Sequence, residues 1–213
     1  MSVKIDLHIH SKYSGDSLSE PSDILKTAKK TGLAGIAVVD HGTIEGGLKT
    51  AKANKDESFK VIIGAEIKTD SGEVIGYFLN QEISSRSFGD VIDEMKAQDA
   101  IISIPHPFDV FRKNRIKKPE AASKYVDLVE VFNSRCILDL FNKKALEFSE
   151  KFNLGVTAGT DAHHLEEIGT AGVMLKGDDL RGELKENRDY FGVKNPLTLH
   201  AKATLERLIF KRL

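Results

Sequence analysis

The sequence predicts an α/β fold in which mostly parallel strands close into a barrel. Short β-branched, apolar runs alternate along the chain with segments of helical period. This alternation is typical of a parallel sheet, either open or closed. Histidine-rich clusters follow at least four different runs, whereas an open doubly wound sheet gathers its site at one switch point. We therefore predict a barrel with about seven strands in its repeating part, formed by a single domain of residues 1–213.

The strands are predicted from runs rich in valine, isoleucine and leucine. They span residues 3–8, 35–39, 61–66, 74–79, 100–104, 128–132, 155–158 and 172–176. The turn signal Thr69-Asp70-Ser71-Gly72 separates the third run from the fourth, so we expect these two strands to pair as a hairpin.

The connecting helices are predicted from apolar residues at helical spacing. In the first helix, Ile24, Leu25 and Ala28 share one face, and Gly32 is a stop signal. The predicted helices span residues 21–31, 44–53, 88–97, about 138–152 and about 205–210.

The overall composition excludes several classes of protein. A net charge of -1 argues against a nucleic-acid coat or a membrane-surface protein, although a few local cations could still hold a nucleotide. No apolar run approaches the roughly 18 residues that span a bilayer. We expect a cytoplasmic protein without membrane partners, because the start of the sequence lacks a signal-peptide pattern and Cys136 is the single cysteine. Cys136 is expected to be a packing residue.

Six of the seven histidines lie in four clusters that follow predicted strands. The clusters are Asp6-Leu7-His8-Ile9-His10, Asp40-His41, His106-Pro107-Phe108-Asp109 and Asp161-Ala162-His163-His164. His8 and His10 are two apart on a strand and share a face, and Asp161 and His163 repeat this spacing. Glu66 ends an apolar run, so its charge needs a partner. Imidazole and carboxylate groups bind zinc, iron or manganese, so we predict a multinuclear metal site, whose commonest use is hydrolysis.

Five segments occur along the chain in the order Asp-Leu-His-Ile-His-Ser, Asp-His-Gly, Gly-Ala-Glu, His-Pro-Phe-Asp and Gly-Thr-Asp-Ala-His. In this order they resemble motifs of the PHP (polymerase and histidinol phosphatase) family. The resemblance extends from Asp6 to about Gly172. It implies a distorted (β/α)7 barrel that binds two or three divalent ions of manganese, iron or zinc.

The resemblance also implies a set of metal ligands. Those of the first metal are His8, His10, Glu66 and Asp161, those of the second are Glu66 and His106, and those of the third are Asp16, His41 and His163. Asp6, Asp40 and Asp109 are expected to orient the ligand imidazoles. His164 and His200 are expected to lie outside the ligand set.

The sequence departs from the family at one position. Many members carry a further histidine ligand on the hairpin strand, but no histidine occurs between His41 and His106. Glu73 falls near the expected position. Either Glu73 is an oxygen ligand, which would favour manganese or iron, or it is a solvated turn residue and the second metal is weak or absent.

Three polar residues near the predicted strand ends are candidates for substrate binding. Arg135 and Asn133 follow one strand and Lys12 follows another, and an arginine fork suits phosphate. Arg135 and His163 are the candidate catalytic residues. Arg135 would neutralise charge on the phosphate, and either a site histidine or a metal-bound water would protonate the leaving group. The basic segment 112–118 is expected to edge the site and to be mainly solvated.

The resemblance implies a phosphoesterase that hydrolyses a phosphomonoester, with a metal-bridging hydroxide as nucleophile. The expected substrate is a nucleotide or a small phosphorylated metabolite. Histidinol phosphatase and oligonucleotide exonuclease activities share the same ligands and stay open. Hydrolysis of C–N bonds and a non-catalytic, metal-binding regulatory module are the alternatives from other classes.

Overall fold

A computed structural model of the chain describes residues 2–176, 179–196 and 198–199. Within them, strands and helices alternate as the sequence predicts. The strands are β1 (Val3–Ile9), β2 (Gly35–Val38), β3 (Lys60–Thr69), β4 (Gly72–Tyr77), β5 (Ile101–Ile104), β6 (Leu128–Asn133), β7 (Gly155–Gly159), β8 (Ala171–Leu175) and β9 (Tyr190–Gly192). The α-helices are α1 (Pro21–Lys30), α2 (Glu45–Ala53), α3 (Phe88–Ala97), α4 (Pro119–Ala122), α5 (Asp139–Phe152) and α6 (Leu180–Glu186).

The strands form one sheet in the order β7-β6-β5-β4-β3-β2-β1-β8-β9. Strands β1, β2 and β3 run parallel, as do β5, β6 and β7, and β4 is antiparallel to both of its neighbours. The hairpin of β3 and β4 agrees with the predicted turn. Strand β8 pairs antiparallel with β1, and β9 pairs with β8.

The ends of β1 and β7 meet and nearly close the sheet. The N–H of His10 donates to the carbonyl of Ala162 at 2.9 Å, and the N–H of Ala162 donates to the carbonyl of His8 at 3.3 Å. A Cβ at Gly159 would lie 2.4 Å from the Cβ of His8, so this contact between the strands requires glycine. The fold is thus the distorted barrel that the sequence predicts.

An irregularity in β1 decides which side chains reach the barrel mouth. Asp6 pairs with Ile36 and Ile9 pairs with Val38, so three steps along β1 match two along β2. Leu7 therefore belongs to the interior cluster, whereas Ile9, two residues later, packs outside against α1. A bulge of this kind re-aims side chains.

The helices cover the outside of the barrel. Helix α1 has Pro21 at its start, where the missing N–H costs nothing, and buries Ile24, Leu25 and Ala28 as the spacing predicts. Among the described helices, none is long and apolar enough to cross a membrane.

Several boundaries differ from the prediction. Strand β3 continues to Thr69 because its pairing with β4 extends to the turn, where Thr69 faces Gly72. The sequence did not predict α4, α6 and β9, which have 4, 7 and 3 residues and are too short to display a clear period. The helix predicted over 205–210 lies outside the described residues.

Candidate metal centre

The structure brings all nine predicted metal ligands together at the mouth of the barrel. They fall into four overlapping groups, and within each group one donor atom per residue lies within 4.8 Å of the others. The groups are His8, His10 and Asp161; His8, Glu66 and His106; His41, Glu66 and Glu73; and His10, Asp16, His41 and His163.

The innermost group joins the ends of β1, β3 and β7. The Nε2 atoms of His8 and His10 lie 3.1 Å apart, and each is 3.5 Å from Oε2 of Glu66. Oδ1 of Asp161 lies 3.6 Å from Nε2 of His8 and 3.3 Å from that of His10. All four side chains are buried. Because imidazole nitrogens and carboxylate oxygens aim at one small space, this group suits a divalent cation.

Two ligands occupy an unusual backbone conformation. His106 has a φ of 29° and Asp161 a φ of 54°. Such values are strained for residues with a Cβ and typically persist where the surrounding fold fixes a functional side chain.

A second part of the centre is more open to solvent. Oδ2 of Asp16 lies 3.3 Å from Nε2 of His41 and 3.2 Å from Nε2 of His163, and Nδ1 of His41 is 3.2 Å from Oε2 of Glu66. The side chain of His41 is 36% exposed and that of Asp16 is 20% exposed. We call the space between His10, Asp16, His41 and His163 the outer position.

Unsatisfied buried atoms show that a cation fits. Within the described part of the chain, Oδ1 of Asp16 and Oδ1 of Asp161 are buried without a hydrogen-bond donor. A buried carboxylate oxygen without a partner is costly, and a metal ion would satisfy both. The residues present therefore fit the predicted metals.

Three ligands are in the protonation state that binds a metal. Burial lowers the pKa of His10 to about 3, so this imidazole is neutral. Burial alone would raise the pKa of Glu66, but nearby His41 holds it well below its usual range. Burial would likewise raise the pKa of Asp161, but the guanidinium of Arg112 holds it well below its usual range. Neutral imidazole and ionised carboxylate are the forms that bind metals. His8 and His41 are not in this form, because nearby carboxylates, against the effect of burial, raise the pKa of both, that of His41 to about 11, so a bound metal must displace a proton from each.

Three imidazoles are oriented by contacts on their far side. Nδ1 of His8 lies 2.8 Å from Oε1 of Glu130, and Nδ1 of His10 lies 3.1 Å from the hydroxyl of Ser14. Nδ1 of His163 donates to its neighbouring carbonyl, that of Asp161, at 2.9 Å. Such contacts turn Nε2 towards the centre. Sequence reasoning missed Glu130, although a charged residue inside an apolar strand was the signal that identified Glu66.

The predicted roles of Asp6, Asp40 and Asp109 are wrong, because none of the three contacts a ligand imidazole through its carboxylate. Asp6 accepts from the N–H groups of Thr160 and His8. Asp40 accepts from the N–H and hydroxyl of Ser11. Asp109 accepts from the N–H of Phe111 and from Nε of Arg112. These carboxylates instead accept from backbone N–H groups and fix the segments that carry the ligands.

Arg112 is a site residue that sequence reasoning assigned to a solvated segment. Its guanidinium contacts Oδ2 of Asp161 and lies 3.3 Å from Oδ2 of Asp109 and 3.5 Å from Oδ1 of Asn133. The chain turns back over the mouth after β5, and loop conformations of this kind leave no periodic signal in a sequence.

The predicted substrate residues lie in different places. The amide of Asn133 is at the centre and donates to Asp161 at 3.2 Å. Arg135 instead binds the carboxylate of Glu167 at 3.2 Å. Lys12 is exposed and pairs with Glu20 at 3.0 Å. The structure therefore does not bring Arg135 and Lys12 to the ligand groups.

Glu73 is buried near the ligands of the predicted second metal. Asn114 donates to its carboxylate at 3.0 Å, and burial, with the charge of Glu66, raises the pKa of this carboxyl.

We expect Glu73→Gln to lose one metal ion per chain, because an amide is a poorer ligand for a hard cation than a carboxylate. Element analysis after dialysis measures this loss. Glu82→Gln is the control, because Glu82 lies in the loop after β4 and its carboxylate accepts from the N–H of Ile44 at the start of α2. A full metal content in Glu73→Gln would remove Glu73 from the ligands.

The fold and the site define a class of protein with a histidine- and carboxylate-rich cluster at the mouth of a distorted α/β barrel. The model of the PHP domain matches residues 6–195, and the chain belongs to this family. An uncharacterized protein of Methanocaldococcus jannaschii is 36% identical over 95% of this chain and 85% of its own length.

Solved structures share the fold. A two-domain protein of Bacteroides vulgatus, described as containing a predicted PHP-like metal-dependent phosphoesterase, aligns with a TM-score of 0.76 over 97% of this chain and 70% of that one, at 19% identity. A lesion-specific endonuclease of Pyrococcus furiosus aligns with a TM-score of 0.65 over 87% of this chain and 55% of that one, at 15% identity.

Proposed function

We propose that this protein is a metal-dependent phosphoesterase that hydrolyses a phosphomonoester of a nucleotide or a small phosphorylated metabolite. One observation carries the proposal: unsatisfied buried carboxylate oxygens face imidazole nitrogens from several strands, directly beside the guanidinium of Arg112. Clustered ligands suit a multinuclear metal site, and an adjacent arginine suits a phosphate. Membership of the PHP family supports the same reading.

Different groups of ligand residues would hold different cations. His8, His10 and Asp161 would hold one ion, and Glu66 would be shared with a second ion near His106. The outer position would hold a third. A bound divalent cation would supply a Lewis acid for phosphate oxygens and would lower the pKa of a coordinated water towards about 7.

Arg112 is the proposed phosphate-binding residue, in place of Arg135 and Lys12. Its guanidinium already lies against Asp161, where a phosphate held by the centre would sit. Its planar fork can donate to two phosphate oxygens and neutralise the charge that grows on them during displacement. Its contact with Asp109 fixes the side chain in this direction.

We propose His163 as a metal ligand rather than as the group that donates a proton to the leaving group. Its Nδ1 is engaged by the carbonyl of Asp161, and its Nε2 faces Asp16. Both ring nitrogens are thus occupied by contacts that aim the ring at the outer position.

We expect protein stripped by a chelator to lose hydrolysis of an aryl phosphate and to regain it on addition of Mn²⁺. A panel of nucleoside monophosphates, sugar phosphates and short oligonucleotides, assayed by release of phosphate, then identifies the substrate class. An aryl phosphodiester is the matched control, because its cleavage separates diesterase from monoesterase chemistry. Metal-loaded protein that leaves every ester intact would overturn the proposal and favour a non-catalytic module.

A further inference from the structure

One buried acid ties down the loop that follows β7. Glu167 has no solvent exposure. Its carboxylate accepts from the backbone N–H groups of His163 at 2.7 Å and of His164 at 3.0 Å. Nη1 of Arg135 donates to both of its oxygens, at 3.2 and 3.3 Å. The same carboxylate therefore holds the backbone of one predicted ligand and pairs with a charge from another loop.

The other end of this ion pair is also anchored at the centre. The side chain of Arg135 is only 14% exposed, and its backbone N–H donates to Oδ1 of Asn133 at 2.9 Å. The amide of Asn133 in turn donates to Oδ2 of Asp161 at 3.2 Å. A continuous set of hydrogen bonds thus leads from Asp161 through the loop after β6 to the backbone of His163.

The outer position depends on this loop more than the inner ones do. Of the inner ligands, His8 lies on β1, and Asp161 is held by the side chains of Arg112 and Asn133. His163 lies in the connection between β7 and β8, and its backbone N–H is held by Glu167. Besides Glu167, the hydroxyl of Ser17 donates to the carbonyl of His163 at 2.9 Å. Neither Arg135 nor Glu167 belongs to a ligand group within the described residues.

We propose that the Arg135–Glu167 ion pair sets the metal affinity of the outer position by holding His163 in place, without touching metal or substrate. The inference rests on the proposed metal centre and adds a positioning pair to it. A buried ion pair contributes little net stability, because desolvation offsets the attraction, but its geometry is specific. Residues that orient metal ligands typically change metal affinity by about 10–100-fold when they are replaced.

Calorimetric titration of the metal-free protein with Mn²⁺ tests the proposal on the full chain. We expect Glu167→Gln and Arg135→Gln to weaken one binding step, that of the outer position, by about 10–100-fold and to leave the other steps unchanged. Arg135→Lys keeps the charge and should lie between wild type and Arg135→Gln. The double variant should recover part of the lost affinity, because it leaves no buried charge unpaired.

Two comparisons separate the possible failures. Arg181→Gln removes a guanidinium from an exposed pair with Asp99, and should leave every step unchanged, because neither residue belongs to a ligand group of the described residues. If the wild-type protein binds no Mn²⁺, the proposed metal centre itself is overturned. Wild type that binds Mn²⁺, together with Glu167→Gln that shows every binding step unchanged, would overturn the positioning role alone. Equal weakening of all steps, with a lower melting temperature of the metal-free variants, would also overturn it, since this indicates a general loss of structure.

Discussion

Replacement of His10 by alanine should remove two metal ions and reduce hydrolysis to background. His10 is completely buried and is shared by the inner group, with His8 and Asp161, and by the outer position. His106→Ala should remove one ion, because His106 belongs to a single group, with His8 and Glu66. The structure therefore predicts a graded loss of metal.

Element analysis of dialysed protein measures this gradation, and release of phosphate from an aryl ester measures the activity. His200→Ala is the control, because His200 lies outside every motif of the sequence. Equal metal contents in His10→Ala and His106→Ala would show that the groups do not divide the ions as proposed.

Arg112→Ala should reduce kcat/KM for a phosphomonoester by about 10²–10³-fold while the metal content stays intact. Loss of one well-placed donor to the charge of a transition state has an effect of this size. Arg112→Lys should recover only part of the activity, because an ammonium group lacks the fork that donates to two oxygens. Steady-state kinetics and element analysis of the same samples give both quantities.

The matched control is Arg115→Ala. Arg115 is in the same loop, but its guanidinium lies 3.5 Å from the carbonyl of Ile116 and contacts no ligand group in the described residues. Wild-type kinetics for Arg112→Ala would contradict the phosphate-binding role. A loss of metal in Arg112→Ala would instead assign the arginine to the support of Asp161.

Much of the barrel follows from local patterns. The apolar runs of β1, β2 and β5 are separated by helical segments, and β-branched residues suit strands that are buried on both faces. The strand ends then place His41 and His106 at one mouth, whereas His8 reaches it through the irregularity in β1, which local patterns do not encode. The reversed direction of β4 was predictable from its turn, but its pairing with β5 depends on sheet order, which local patterns do not encode.

The site was predictable where ligands follow strands and unpredictable where loops fold back. The spacing of His8 and His10 placed them on one face, whereas Arg112 reaches Asp161 through a loop without period. Arg135 follows a strand end as predicted, but its partner Glu167 is 32 residues away in the sequence. Pairing over such a separation depends on how two loops pack, which the sequence does not reveal. The prediction that Arg135 binds phosphate therefore rested on its residue type and its position after a strand.

Because of the irregularity in β1, the chemistry of this protein depends on the exact number of residues in that strand. Up to Leu7 the strand contributes apolar side chains to the interior of the barrel. From the next residue onward it contributes the ring nitrogens of His8 and His10 to the metal centre. A regular ladder with the same composition would turn both rings outward, against α1. The length of this segment thus matters as much as its amino-acid sequence. A single-residue deletion there would exchange the side chains that face the interior of the barrel with those that face the helices.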